Sequence, residues 1–316
     1  MEYCRRKHSN LQSFLAHTTP SVPTYPLSKE YIRDLNSHWQ PNGEETMEYF
    51  MLGDLWDQYS EWSAYGAGVP IILDNHETVL QYYVPYLSAI QIYTSKSLVS
   101  SRILLEENEG ESCSDDSESE KMSKSWDASS EDSVTSQEAQ DSSLTRKDVL
   151  GQIYLHYIEY DSPYRRIPLM DKVNELAQRF PGLMSSKSID VSPASWMSVA
   201  WYPIYHIPTN RNVKDLSACF LTYHSLSASV QDSVVSDSEK DFYSAIVKTN
   251  KWETKKGSNS ITLSPFGLSA YKMQGSVWRN PRTSDSELMS GLYSASESWL
   301  KQLGVRHQDF EFFATH

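Results

Sequence analysis

The stretch from Glu48 to Ser95, EYFMLGDLWDQYSEWSAYGAGVPIILDNHETVLQYYVPYLSAIQIYTS, constrains the fold more than any other. Met51, Leu55, Tyr59 and Trp62 recur at helical spacing, which predicts a helix starting near Glu44 or Glu45 with one apolar face. Gly66 and Gly68 end it. The residues after these glycines, rich in Tyr, Ile and Val, read as strands: Val69–Leu73, Val79–Val84 and Leu87–Tyr93, with a turn at Asp74–Glu77 and the last two separated at Pro85, which suits a bulge or an edge. A second block, Trp196 to Ser225, has the same character. The two together predict most of one hydrophobic core and a mostly antiparallel mixed sheet flanked by a few amphipathic helices, an α+β fold.

The rest of the chain fits around these blocks. Short helices are expected over Ser9–Ala16, with Leu11, Phe14 and Leu15 on one side, and over Leu27–Trp39, separated by an extended run at Pro20, Pro23 and Pro26. Gln152–Tyr160 reads as a strand, Leu169–Phe180 as a helix, Trp196–Tyr205 and Leu216–His224 as strands, and Ile261–Trp278 as one or two more. A final helix opens with Ser284 and Glu287 as a capping box and closes at Gly304. The FEFF run, Phe310–Phe313, is expected to dock back on the core.

Between the blocks the chemistry changes. From Glu106 to Ser143 there are 13 acidic residues against two lysines, −11 of the chain's net −13, so the remainder carries only about −2. Twelve serines lie between Ser112 and Ser143, with Trp126 the single aromatic. Such a segment buries too little apolar surface to offset its chain entropy. We therefore expect a disordered N-terminus (1–8), a disordered acidic insert (105–144), and a single domain made of 9–104 and 145–316. Loop-closure entropy grows only logarithmically with length, so the strands on either side of the insert can be neighbours. Ser112, Ser117 and Ser129 each have an acid three residues on, the spacing of acid-directed serine kinases.

Three well-separated cysteines, Cys4, Cys113 and Cys219, form no metal-binding ladder or disulfide framework. With no secretory signal and no membrane-length apolar run, the expectation is a cytoplasmic or nuclear protein without membrane contact.

Candidate chemistry is sparse. Asp54, Asp57 and Glu61 share a helical face and could serve as an acid/base pair or cation site, although a solvated face is the plainer reading. Tyr65-Gly-Ala-Gly-Val69 has its glycines after a helix and no following Lys, so it reads as a tight turn rather than a phosphate loop. His206, Cys219, His224 and Asp54 are the catalytic candidates; a Cys219–His224 or Cys219–His206 pair would give a thiolate nucleophile. His76 and His156 complete the histidines considered. Tyr82, Tyr86, Trp201 and Tyr205 are the binding candidates, as an aromatic surface for a protein partner or a small molecule. Nucleic acid is disfavoured, because base stacking is normally joined by a basic groove. No cofactor or metal site is expected. The reading that results is a non-enzymatic binding or scaffold domain with a phosphorylatable loop, its rival an enzyme with a site assembled from the sequence-distant residues.

Several long segments, SNLQSFLAHTTPSVP, YFMLGDLWDQYSEWSAYGAGVPI, SWMSVAWYPIYHIPTNRNVKDLSACFLTYHSL, FGLSAYKMQGSVW and WLKQLGVRHQDFEFFATH, resemble the plant domain-of-unknown-function 789 family. The resemblance spans nearly the whole chain outside the insert. It implies a plant protein and a single domain holding both blocks, and it carries no catalytic or binding residues with it.

Overall fold

A computed structural model describes residues 9–27, 47–94, 151–209, 214–227, 259–273, 277–278 and 285–315. The insert with Ser112, Ser117 and Ser129, the expected helix over 28–39 and the Ser284 half of the capping box lie outside these residues.

The centre of the fold is one strand, β5 (Thr78–Thr94), which runs unbroken through Pro85. One edge of it pairs with β7 (Trp196–Ile207). The other edge is shared end to end by β4 (Ala67–Ile72) and β6 (Gln152–Ile158). Beyond β7 come β8 (Cys219–Ser225) and β10 (Gly267–Tyr271), giving the order β10-β8-β7-β5-β4, with β6 also paired to β5. Every strand pair among the described residues is antiparallel. The strands flanking the insert are therefore direct neighbours, β5 with β6. Two small pairs lie outside this sheet: β1 (Ser21–Pro23) with β9 (Ser260–Thr262), and β2 (Tyr25–Leu27) with β3 (Met47–Tyr49).

Of the bulge or edge expected at Pro85, the structure has a bulge, three residues later, in a strand that continues through the proline. Leu87 faces Val199 and Ala89 faces Ser198, so Ser88 is an extra residue on β5. Its effect is visible in the core. Val79, Tyr83 and Leu87 point to one apolar cluster, and after the bulge Ile90 and Ile92 do, the parity having switched from odd to even.

That larger cluster lies under α1 (Asn10–Thr18), α2 (Leu52–Tyr65) and α3 (Leu169–Arg179). Ser9 and Gln12 cap α1 reciprocally. Its Asn10 exchanges two 2.8 Å bonds with the backbone of Ile72, and Ser13 donates to Pro70 O, so α1 occupies the outer edge of β4. Helix α2 starts at Leu52, later than its apolar spacing suggested, because Met47–Tyr49 pairs with β2 instead. Leu52, Leu55, Trp56 and Tyr59 form its buried stripe, and Trp56 Nε1 donates to Leu183 O of the one-turn α4 (Gly182–Ser185) at 2.7 Å.

The opposite face of the sheet carries a smaller cluster around Trp196, Leu221, Tyr223 and Phe266. It is covered by α5 (Asp285–Leu303) and α6 (Gln308–Thr315). Gly304, at φ +65°, turns the chain between them. The FEFF run is helical and docks as expected, with Phe310 and Phe313 buried.

Candidate binding face

Among the described residues the two C-terminal helices pack chiefly over the β8–β10 side of the second face, and α6 reaches as far as Ser88 of β5 and Tyr202 of β7. Toward β4 the same face stays open. There Tyr82 of β5 and Tyr205 of β7 stack with ring centroids 4.5 Å apart and planes 19° from parallel. Ile204, Tyr205 and Ile207 are 48%, 45% and 52% exposed, and Tyr65 at the end of α2 is 72% exposed. The glycines are matched to this surface. Gly66 takes φ +82°, and a Cβ there would stand 3.3 Å from Ile204 Cδ1; a Cβ on Gly68 would stand 3.3 Å from Tyr82 Cε1. Gly66 is the expected turn glycine, while Gly68 is a strand residue that lets the Tyr82 ring lie flat against β4.

Of the four aromatic candidates, Tyr82, Tyr86 and Tyr205 share this face. Tyr86 meets Tyr202 edge-on at 5.8 Å. Trp201 does not belong with them. It points into the larger cluster, fully buried among Phe14, Tyr59 and Trp62, with Nε1 donating to Thr222 Oγ1.

The catalytic candidates are dispersed. Cys219 and His224 are five residues apart on β8, so they project to opposite faces, an odd spacing that already forbade their pairing once both were on one strand. Burial pushes the Cys219 thiol up to about 12, the reverse of a thiolate nucleophile. His224 is a satisfied core residue: its nitrogens meet Leu263 O at 2.9 Å and Thr222 Oγ1 at 3.0 Å, and burial lowers its pKa to about 4. His206 lies opposite Gln81, past the end of the β7–β8 pairing, with a buried Nε2 that has no partner. Asp54 is in the first turn of α2 beside Tyr25, whose hydroxyl it holds by a hydrogen bond that raises the Tyr25 pKa. Asp57 and Glu61 are exposed, the solvated face. His76 is in an exposed turn, and His156 Nδ1 bonds Gln91. Among the described residues no group of three or more His, Cys, Asp or Glu side chains is placed to hold a metal ion, and no helix is long and apolar enough to cross a membrane.

A polar chain that no sequence spacing announced lies beneath α6. Tyr223 Oη donates to His307 Nδ1 at 2.7 Å, His307 Nε2 donates to Ser88 Oγ at 2.9 Å, and Ser88 Oγ donates to Asp309 Oδ2. Asp309 also receives both terminal nitrogens of Arg166 at 2.7 Å each. This directional assignment satisfies every proton in the chain. It contains a serine, a histidine and an aspartate, but the histidine does not bridge the other two as a nucleophile-activating base would. Ser88 and His307 are buried, and burial lowers the His307 pKa to about 4. The bulge is what aims Ser88 at this chain, which fastens α6 to the sheet. The only sequence traces are the His307–Asp309 spacing after Gly304 and the second arginine of the Arg165–Arg166 pair, neither specific.

The fold and its surface define a class: an antiparallel sheet with helices on both faces, one face partly bare and aromatic. The chain belongs to the family described as protein of unknown function (DUF789), whose model matches residues 9–313. No curated protein and no solved structure matches it.

Proposed function

We propose that this chain is a binding module that engages a protein partner through the open sheet face at Tyr82, Ile204, Tyr205 and Ile207. The observation that carries this reading is the stack of half-buried Tyr82 on exposed Tyr205 with exposed aliphatic neighbours, held on the sheet against glycine-lined backbone. Tyrosine is enriched where protein interfaces derive their energy, and charge is depleted there. Ring stacking also presents large area at little entropic cost, since the rings are already ordered. In this reading the acidic serine segment is a regulatory tether. Phosphates at Ser112, Ser117 and Ser129 would each add about −1.5 to −2 charges beside the module.

The test uses the full chain as bait against Ile204→Ser/Tyr205→Ser, a pair chosen from the exposed surface so that thermal stability stays within a few degrees. Partners recovered by the wild type and lost by the variant support the face. Recovery of the same partners by both overturns it.

A further inference from the structure

The chemistry of the partner can be narrowed, on the reading just given. The aromatic surface does not stop where α6 begins. The Tyr82–Tyr205 stack leads to Tyr86 and Tyr202, and Tyr202 meets Phe313 of α6 edge-on at 6.4 Å. Phe313 and Phe312 then lie against Tyr271 at 5.8 and 4.9 Å, and Phe310 stacks on Tyr293 at 5.3 Å. Tyr202 is thus shared: one side serves the covered half of the face, the other the open half. The covered half already shows what this surface accepts, a short helix seated by phenylalanines three residues apart.

We propose that the open half receives an aromatic-bearing amphipathic helix of a partner protein, seated as α6 is on the adjoining half. Strand addition, the other common way to extend a sheet, is disfavoured on the same structure. The outer edge of β4 is taken by Asn10 and Ser13, and the open segment of β7 contains Pro203, which has no N–H to offer. Among the described residues the open half also has no counterpart of the Arg166–Asp309 anchor, so its affinity rests on apolar contact rather than charge.

The probe is a helix-stabilised peptide carrying the α6 sequence QDFEFFAT, fluorescently labelled, titrated into the full chain and read by anisotropy. Stabilisation is needed because isolated helices this short are marginal in water. Saturable binding below about 1 mM is expected, weakened at least tenfold by Ile204→Ser/Tyr205→Ser and equally by Ile207→Ser with Tyr82→Ser, each variant first shown to melt like the wild type. Replacing the first and third phenylalanines of the peptide by serine should abolish it. No saturable binding overturns the helical partner. So does binding that survives both sets of face substitutions, which would mark exchange with the resident α6. If the peptide fails while face variants still lose captured partners, only the helix assignment falls and the binding face stands.

Discussion

Removing Arg166 should expose how much of this fold hangs on one buried ion pair. The side chains of Arg166 and Asp309 are only 4% and 7% exposed, and two 2.7 Å bonds join them in a bidentate fork. Burial alone would pull the guanidinium pKa down; the hydrogen bonds and charge of Asp309 outweigh it and leave the pKa raised. Arg166→Met keeps most of the volume and strands the Asp309 carboxylate in the interior. Breaking a buried pair in this way costs about 3–5 kcal/mol. In a chain of this size that lowers Tm by roughly 10 °C. Ser88 still donates to the carboxylate, but with its charge partner gone it should take a proton, because burial without a compensating charge favours the neutral form. The penalty, measured by urea unfolding followed by circular dichroism, is therefore expected to be largest near neutral pH and to shrink as the pH is lowered. Arg166→Met/Asp309→Leu, which removes both charges, should recover most of the loss. A single variant within about 1 kcal/mol of wild type, or a penalty independent of pH, would refute the reasoning.

Tyr59 and Tyr83 are fully buried, and their hydroxyls have no hydrogen-bond partner. Tyr59→Phe and Tyr83→Phe should leave stability unchanged or raise it by up to about 1 kcal/mol; a clear loss in chemical denaturation would show a bonded interior water instead. Gly53→Ala, which in an exposed helix gains about 1 kcal/mol, should destabilise here, since its Cβ would sit 2.8 Å from the backbone oxygen of Met184. A rise in Tm would contradict that packing. His224 and His307 are both held neutral with pKa lowered to about 4. The unfolded chain takes up these protons first, so their contribution is intact above about pH 6.5 and is lost as the pH falls toward 4, at up to roughly 1.4 kcal/mol per pH unit for each. A stability profile flat across that window would count against it. Deleting residues 106–143 should leave a cooperative melt at nearly the wild-type Tm, because β5 and β6 pair directly across the insert; loss of cooperativity would refute the single interrupted domain.

The sequence by itself determined the elements and their chemistry. Periodicity located α1, α3 and the strands β4, β6, β7 and β8 to within a few residues, Gly304 marked the end of α5, and charge counting separated the acidic insert from a near-neutral remainder. These are local properties, set by which side chains recur on one face and by backbone freedom at single residues. What the tertiary structure decided depended on partners far along the chain. It carried β5 through Pro85 and placed the bulge at Ser88, and it took Met47–Tyr49 from the expected helix into a pair with β2. It also buried Trp201 while leaving Tyr205 exposed and Tyr82 half-buried. Adjacent aromatic residues of one strand look alike in sequence, and their fates diverge only when the helices choose which face, and how much of it, to cover. The chain from Tyr223 to Arg166 was illegible for the same reason, since hydrogen bonds between residues 84 to 221 positions apart leave no spacing to read.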